Sequence, residues 1–112
     1  MTDKIVLLTA CESAEEAEKI ARALVESRLA ACVNIVSGVR SVYRWKDAVE
    51  TANELLLVVK TSRALLPDAQ ALIEKVHSYE LPECIAIQIV DGSERYLDWM
   101  SEGLKQKDPG TR

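Results

Sequence analysis

Apolar and polar positions alternate from residue 31 to residue 45. The odd positions read Ala31, Val33, Ile35, Ser37, Val39, Ser41, Tyr43 and Trp45. Beyond Gly38 the even positions turn polar at Arg40, Arg44 and Lys46, with Val42 as the exception. A period of two marks a strand with one buried face. After a tight reversal at "KDA" a second alternating run carries Val49, Thr51, Asn53, Leu55, Leu57, Val59 and Thr61. Around this pair the pattern changes period. "KIVLLTA" at 4–10 is a short apolar strand. "SAEE" at 13–16 is a capping box, and Ala17, Ile20, Ala21 and Leu24 follow it at helical spacing. Pro67 suits a first helical turn, and Leu65, Ala69, Leu72, Ile73 and Val76 form a second helical face. "CIAIQIVDG" is a last strand, and Ser93 caps a short helix that ends at Gly103.

The order is therefore β-α-β-β-α-β with a terminal helix, an α+β chain. "ARALVE" at 21–26 echoes "AQALIE" at 69–74, and each precedes a cysteine-led strand. Two such halves predict a ferredoxin-like sandwich over residues 1–103, with a disordered tail at 104–112. Right-handed crossovers favour strand order 4-1-3-2 with both helices on one face. Strands 1 and 3 are expected to run parallel, opposed by strands 2 and 4.

A strand of some 15 residues spans roughly 50 Å, whereas a compact chain of this length is about 35 Å across. The hairpin must then project, carrying Val42, Tyr43, Trp45 and Val49 at its tip. A lone aromatic ribbon is marginal in water and prone to aggregate. The tip needs a partner, most simply another copy of the chain, with Tyr43 and Trp45 in the interface.

Composition narrows the function without choosing one. The formal net charge of −4 argues against a nucleic-acid or anionic-membrane partner. The longest apolar run, Leu55–Val59, is far short of a membrane span. "MTDKIVLLTA" lacks the pattern of a signal peptide, so a cytoplasmic location is the expectation. Three scattered cysteines without a CxxC pair suit that compartment and need no metal for folding.

Four stretches carry a resemblance: "SRLAACVNIVSGVRSVYRW", "LLLVVKT", "HSYELPECIAI" and "YLDWM". Together they resemble the CutA1 family, the divalent-cation tolerance proteins, over residues 4 to about 103. The resemblance implies a ferredoxin-like protomer in a PII-like homotrimer whose hairpins embrace neighbouring subunits. It also implies a role in metal tolerance, with binding of copper or another divalent cation and no enzymatic reaction. There are departures. Ser78 stands where the family often has proline, Val76 where some members have a second histidine, and Asp47 where the hairpin often has glycine. A cysteine of some copper-binding members falls at Leu8, with Cys11 three residues on.

With strands 1 and 3 taken as parallel, Cys11, Cys32, Lys60, Glu83 and Cys84 share one rim with the N-termini of the first two helices. Cys11, Cys32, His77 and Cys84 are the metal-ligand candidates, since thiolate and imidazole suit copper(I) or zinc. Lys60, Tyr79 and Glu83 are candidates to line a ligand rim. Cys32 and Cys84 lie on the two sheet edges, too far apart to share an ion within one protomer, so a common site would form across a subunit boundary. Two other readings are a PII-like sensor of a small anionic metabolite and an enzyme using Lys60, Tyr79 and Glu83. A glycine-rich phosphate loop would favour the first, but no glycine opens helix 1 or 2, and no nucleophile–base pair favours the second.

Overall fold

The computed structural model describes residues 2–106. Its elements are β1 (Lys4–Cys11), α1 (Ala14–Glu26), β2 (Cys32–Trp45), β3 (Ala48–Ser62), α2 (Leu66–Val76), β4 (Ile85–Gln88) and α3 (Glu94–Gly103). Local chemistry accounts for their ends. Ser13 Oγ accepts the Glu16 N–H at 3.1 Å and starts α1, and Ser93 Oγ accepts the Tyr96 N–H at 3.2 Å and starts α3. Pro67 sits in the first turn of α2. Lys46 and Asp47 both adopt positive φ, 49° and 69°, which is the two-residue turn that matches the twist of a hairpin.

The sheet order is β2-β3-β1-β4, as the crossovers require. Every neighbouring pair is antiparallel, including β1 with β3. The parallel arrangement of strands 1 and 3 is therefore overturned. A helical crossover returns β2 in the direction of β1, and the hairpin then reverses β3. One rim becomes two ends. Cys11 pairs with Leu55 where the hairpin leaves the body, and Cys32 pairs with Lys60 at the other end.

A second correction concerns the long alternation. The β2–β3 ladder shifts register between Val36 and Val39, beside Gly38 at φ 78°. Two residues there oppose one, a bulge that inverts the parity of the strand. Val33 and Ile35 pair with the buried Val59 and Leu57 and lie on the helix side. Past the bulge Val39, Ser41, Tyr43 and Trp45 lie on the opposite face, level with Glu54, Ala52, Glu50 and Ala48.

The core lies between the sheet and α1 and α2, where Leu7, Ile20, Leu24, Leu57, Val59 and Ile73 are buried. Beyond Cys11 no third strand pairs with the hairpin among the described residues. Its last six or seven residue pairs project by about 20 Å, and the long axis of the molecule is 46 Å. The final strand is shorter than the apolar run 84–92, with four residues paired to β1. The chain also stays ordered past Gly103. Leu104 is buried in the core and the Lys105 N–H donates to Arg28 O at 2.9 Å, so the expected tail does not begin at 104. Residues 107–112 lie outside the described residues.

One core group is unsatisfied. Thr9 is fully buried, and its Oγ1 has no hydrogen-bond partner among the described residues. Thr9→Val keeps the shape and removes the stranded hydroxyl, so it is expected to stabilise the fold by about 1 kcal/mol. Denaturant unfolding checks this, and a loss of stability would show that the hydroxyl is solvated or bonded.

An acidic and aromatic cleft at the hairpin base

The segment after α2 is stapled to three elements. His77, buried, holds Ala10 O at 2.7 Å through Nε2, while its Nδ1 accepts the Tyr79 N–H at 3.1 Å. Those contacts place the ring proton on Nε2. Ser78 donates from N and Oγ to the Glu16 carboxylate, at 2.6 and 3.1 Å. Glu16, the far member of the capping box, thus ties α1 to this segment. Tyr79 crosses to the hairpin and donates its hydroxyl to Glu54 Oε2 at 2.7 Å, and Ser41 Oγ donates to Glu54 Oε1. Between the segment and the hairpin opens a cleft of about 830 Å³. Glu12, Glu54, Glu80 and Glu83 line it with Tyr43, Trp45 and Tyr79.

Two of the rim candidates, Tyr79 and Glu83, meet here. Lys60 does not. It lies at the far end beside α3, with Nζ 3.4 Å from Tyr96 Oη and 5.6 Å from the centre of that ring. Cys32 is its cross-strand partner. Glu54 and Ser41 are not among the sequence candidates. The signal was Glu54 itself, a carboxylate immediately before the apolar run Leu55–Val59.

The metal-ligand candidates do not converge. Cys32 is at the far end from Cys11 and His77, and both ring nitrogens of His77 are engaged. Cys11 Sγ donates to Ser13 O at 3.6 Å. Among the described residues no group of three or more His, Cys, Asp or Glu is arranged to hold a metal ion. The thiols are also poorly prepared. Burial pushes the Cys11 thiol up, helped by Glu16 and Glu54, and burial pushes Cys84 up, helped by Glu74 and Glu83. A raised thiol resists becoming the thiolate that a soft cation needs. A single-ion site within one protomer therefore does not fit these residues.

The same groups set an alkaline limit. Burial, with Glu54 beside it, also holds the Tyr79 phenol above its ordinary value of 10.0. In the unfolded chain the thiols ionise near 9.0 and the phenol near 10.0, while the folded chain keeps its protons. The folded state then binds more protons, so this contribution is full below about pH 9 and is lost as pH rises. Unfolding midpoints are expected to fall between about pH 8 and pH 11, and to fall less in Cys84→Ala. Equal falls in the two chains would remove Cys84 from the account.

These features define a class: a ferredoxin-like α+β chain whose second and third strands extend as a ribbon, with a third helix folded against the far end of the sheet. The chain belongs to the CutA1 divalent ion tolerance protein family, whose family model matches residues 5–103. It is 47% identical over 100 residues to the divalent-cation tolerance protein CutA of Thermus thermophilus, covering 89% of this chain and 96% of that one. It is 40% identical over 92 residues to the human protein CutA, covering 82% of this chain and 51% of the relative, so it spans about half of that longer protein. Among solved structures, the Thermus thermophilus divalent cation tolerance protein superposes with a TM-score of 0.89 at 45% identity, over 91% and 99% of the two chains. The periplasmic divalent cation tolerance protein CutA of Archaeoglobus fulgidus gives 0.88 at 35% identity, also over 91% and 99%.

Proposed function

We propose that this chain acts as a cytoplasmic, non-enzymatic homotrimer in the response to divalent cations, with weak binding of copper or a similar soft cation. The observation that carries the assembly is the sheet face turned away from the helices. Val6, Leu8, Val58, Ile85 and Ile87 lie on it, alternating with residues that face the core. Ile85 and Ile87 are 52% and 49% exposed. A contiguous apolar face of this kind marks an interaction surface, and the hairpin carries it outward to Tyr43 and Trp45.

The family's name supports the cation response. A soft-cation ligand set belongs between copies, because Cys32 and Cys84 stand at the two edges of the sheet. An edge-to-edge ring would bring one copy's Cys32 side to the next copy's Cys84 side. The rival reading as an anionic-metabolite sensor keeps half of its rim, since α2 opens at the end where Lys60 lies while α1 opens at the hairpin end.

Native mass spectrometry of the purified protein, alone and with copper or zinc, tests both parts. A trimer with a small, shared metal stoichiometry is expected, and that metal should be lost in Cys32→Ser with Cys84→Ser while the trimer persists. A monomer would overturn the assembly, and unchanged copper loading in the double variant would overturn the shared site.

A further inference from the structure

The cleft at the hairpin base has aromatic walls and a single sign of charge. Four carboxylates line it, and among the described residues no lysine, arginine or histidine does. None of the four is in an ion pair among the described residues. The cations of the ribbon are held elsewhere. Arg40 and Arg44 alternate with Tyr43 and Trp45 and so lie on the other face of β2. There Arg40 donates to Asn53 Oδ1 at 3.1 Å and to Thr51 Oγ1 at 3.4 Å. Lys46 Nζ stands 5.6 Å from the centre of the Trp45 ring, so one wall of the cleft already accepts an ammonium group.

Glu54 is the organised acceptor. Tyr79 Oη donates to its Oε2 at 2.7 Å and Ser41 Oγ donates to its Oε1. Each carboxylate oxygen has about two acceptor positions, so two hydroxyls fix the group and leave positions over. Both hydroxyls are neutral, and the charge of Glu54 stays uncompensated. These features select the occupant. Four carboxylates repel an anion. A metal ion needs several converging ligands, and no group of three or more is so arranged among the described residues. A volume of about 830 Å³ is that of a small-molecule site.

We infer that this cleft binds a small primary ammonium compound with an apolar or aromatic body. The ammonium group donates to Glu54, in a charge-assisted hydrogen bond, and the rings of Tyr43, Trp45 and Tyr79 take up the body. The site is separate from the soft-cation site proposed between copies, which uses thiols. Tyr43 and Trp45 also belong to the contact proposed between copies, so binding is measured on the assembled protein.

The test titrates three probes of one shape: 2-phenylethylamine, 2-phenylethanol and 3-phenylpropionate, which carry a cation, no charge and an anion. Amide chemical shifts of isotope-labelled protein give the dissociation constants and the place of binding. The amine is expected to saturate, to shift amides within 41–45, 54 and 79–83, and to bind about tenfold or more tighter than the other two probes. Glu54→Gln keeps the shape of the side chain and is expected to weaken the amine about tenfold or more, leaving the alcohol unchanged. Glu83→Gln removes a charge at an exposed position without touching the Tyr79–Glu54 bond, and should weaken the amine by a smaller factor. It serves as the test if the Glu54 variant does not fold. An amine that fails to saturate, an alcohol that binds as tightly, or shifts confined to another surface would overturn the site. So would an amine affinity unchanged in the folded variants. Displacement of the amine by an equal concentration of calcium chloride would assign the carboxylates to an inorganic cation and overturn it as well.

Discussion

Ile87→Asp is expected to convert the assembled protein into folded monomers. Ile87 pairs with Val6 on β1 and is half exposed in the single chain, on the face away from the helices. An aspartate there remains in contact with water as long as the chain is alone, so the body loses little. Under a second copy the same carboxylate would be buried without a partner, which costs several kcal/mol. Velocity sedimentation reads the mass, and far-ultraviolet circular dichroism reads the fold. A variant that stays assembled with an unchanged dissociation constant would show that β4 does not lie in the interface.

Replacing Tyr43 and Trp45 together with alanine is expected to have a similar effect by a different route. Aromatic anchors commonly cost about 2 kcal/mol each when truncated, which is roughly thirtyfold per residue in a dissociation constant. The unmodified protein should show coupled folding and assembly, so that its reversible unfolding midpoint rises as the chain is concentrated. In the double variant that dependence should flatten. Tyr43 and Trp45 are 44% and 36% exposed in the single chain and lie outside its buried core, so the body should remain intact. A concentration-independent midpoint in the unmodified chain would count against the ribbon as an assembly device.

Not every part of the candidate site was equally legible. Tyr79 and Glu83, two ligand-rim candidates of the sequence, line one cleft. His77 is a metal-ligand candidate in the sequence because imidazole joins thiolate in a soft-cation ligand set. Its ring instead holds Ala10 O and the Tyr79 N–H, two backbone groups whose positions depend on how α2 packs over β1. Glu16 is half of a capping box in the sequence, yet its carboxylate binds Ser78, 62 residues away. Local motifs name the groups that can bond, and packing decides which partner is nearer.

The sequence by itself determined the order of elements, the helix caps at Ser13 and Ser93, the hairpin turn at Lys46–Asp47 and the strand order. These follow from periodicity, side-chain capping and crossover handedness, all of which act over a few residues or a single connection. Strand directions were also within reach, because a helical crossover keeps direction and a hairpin reverses it. The single rim of Cys11, Cys32, Lys60 and Cys84 was lost on that count. Only the tertiary structure decided which face the ribbon presents. One extra residue beside Gly38 moves Tyr43 and Trp45 from the helix side to the open side, although the letters alternate without a break. A period of two has no memory across a bulge, and a bulge exists only in the pairing of β2 with β3.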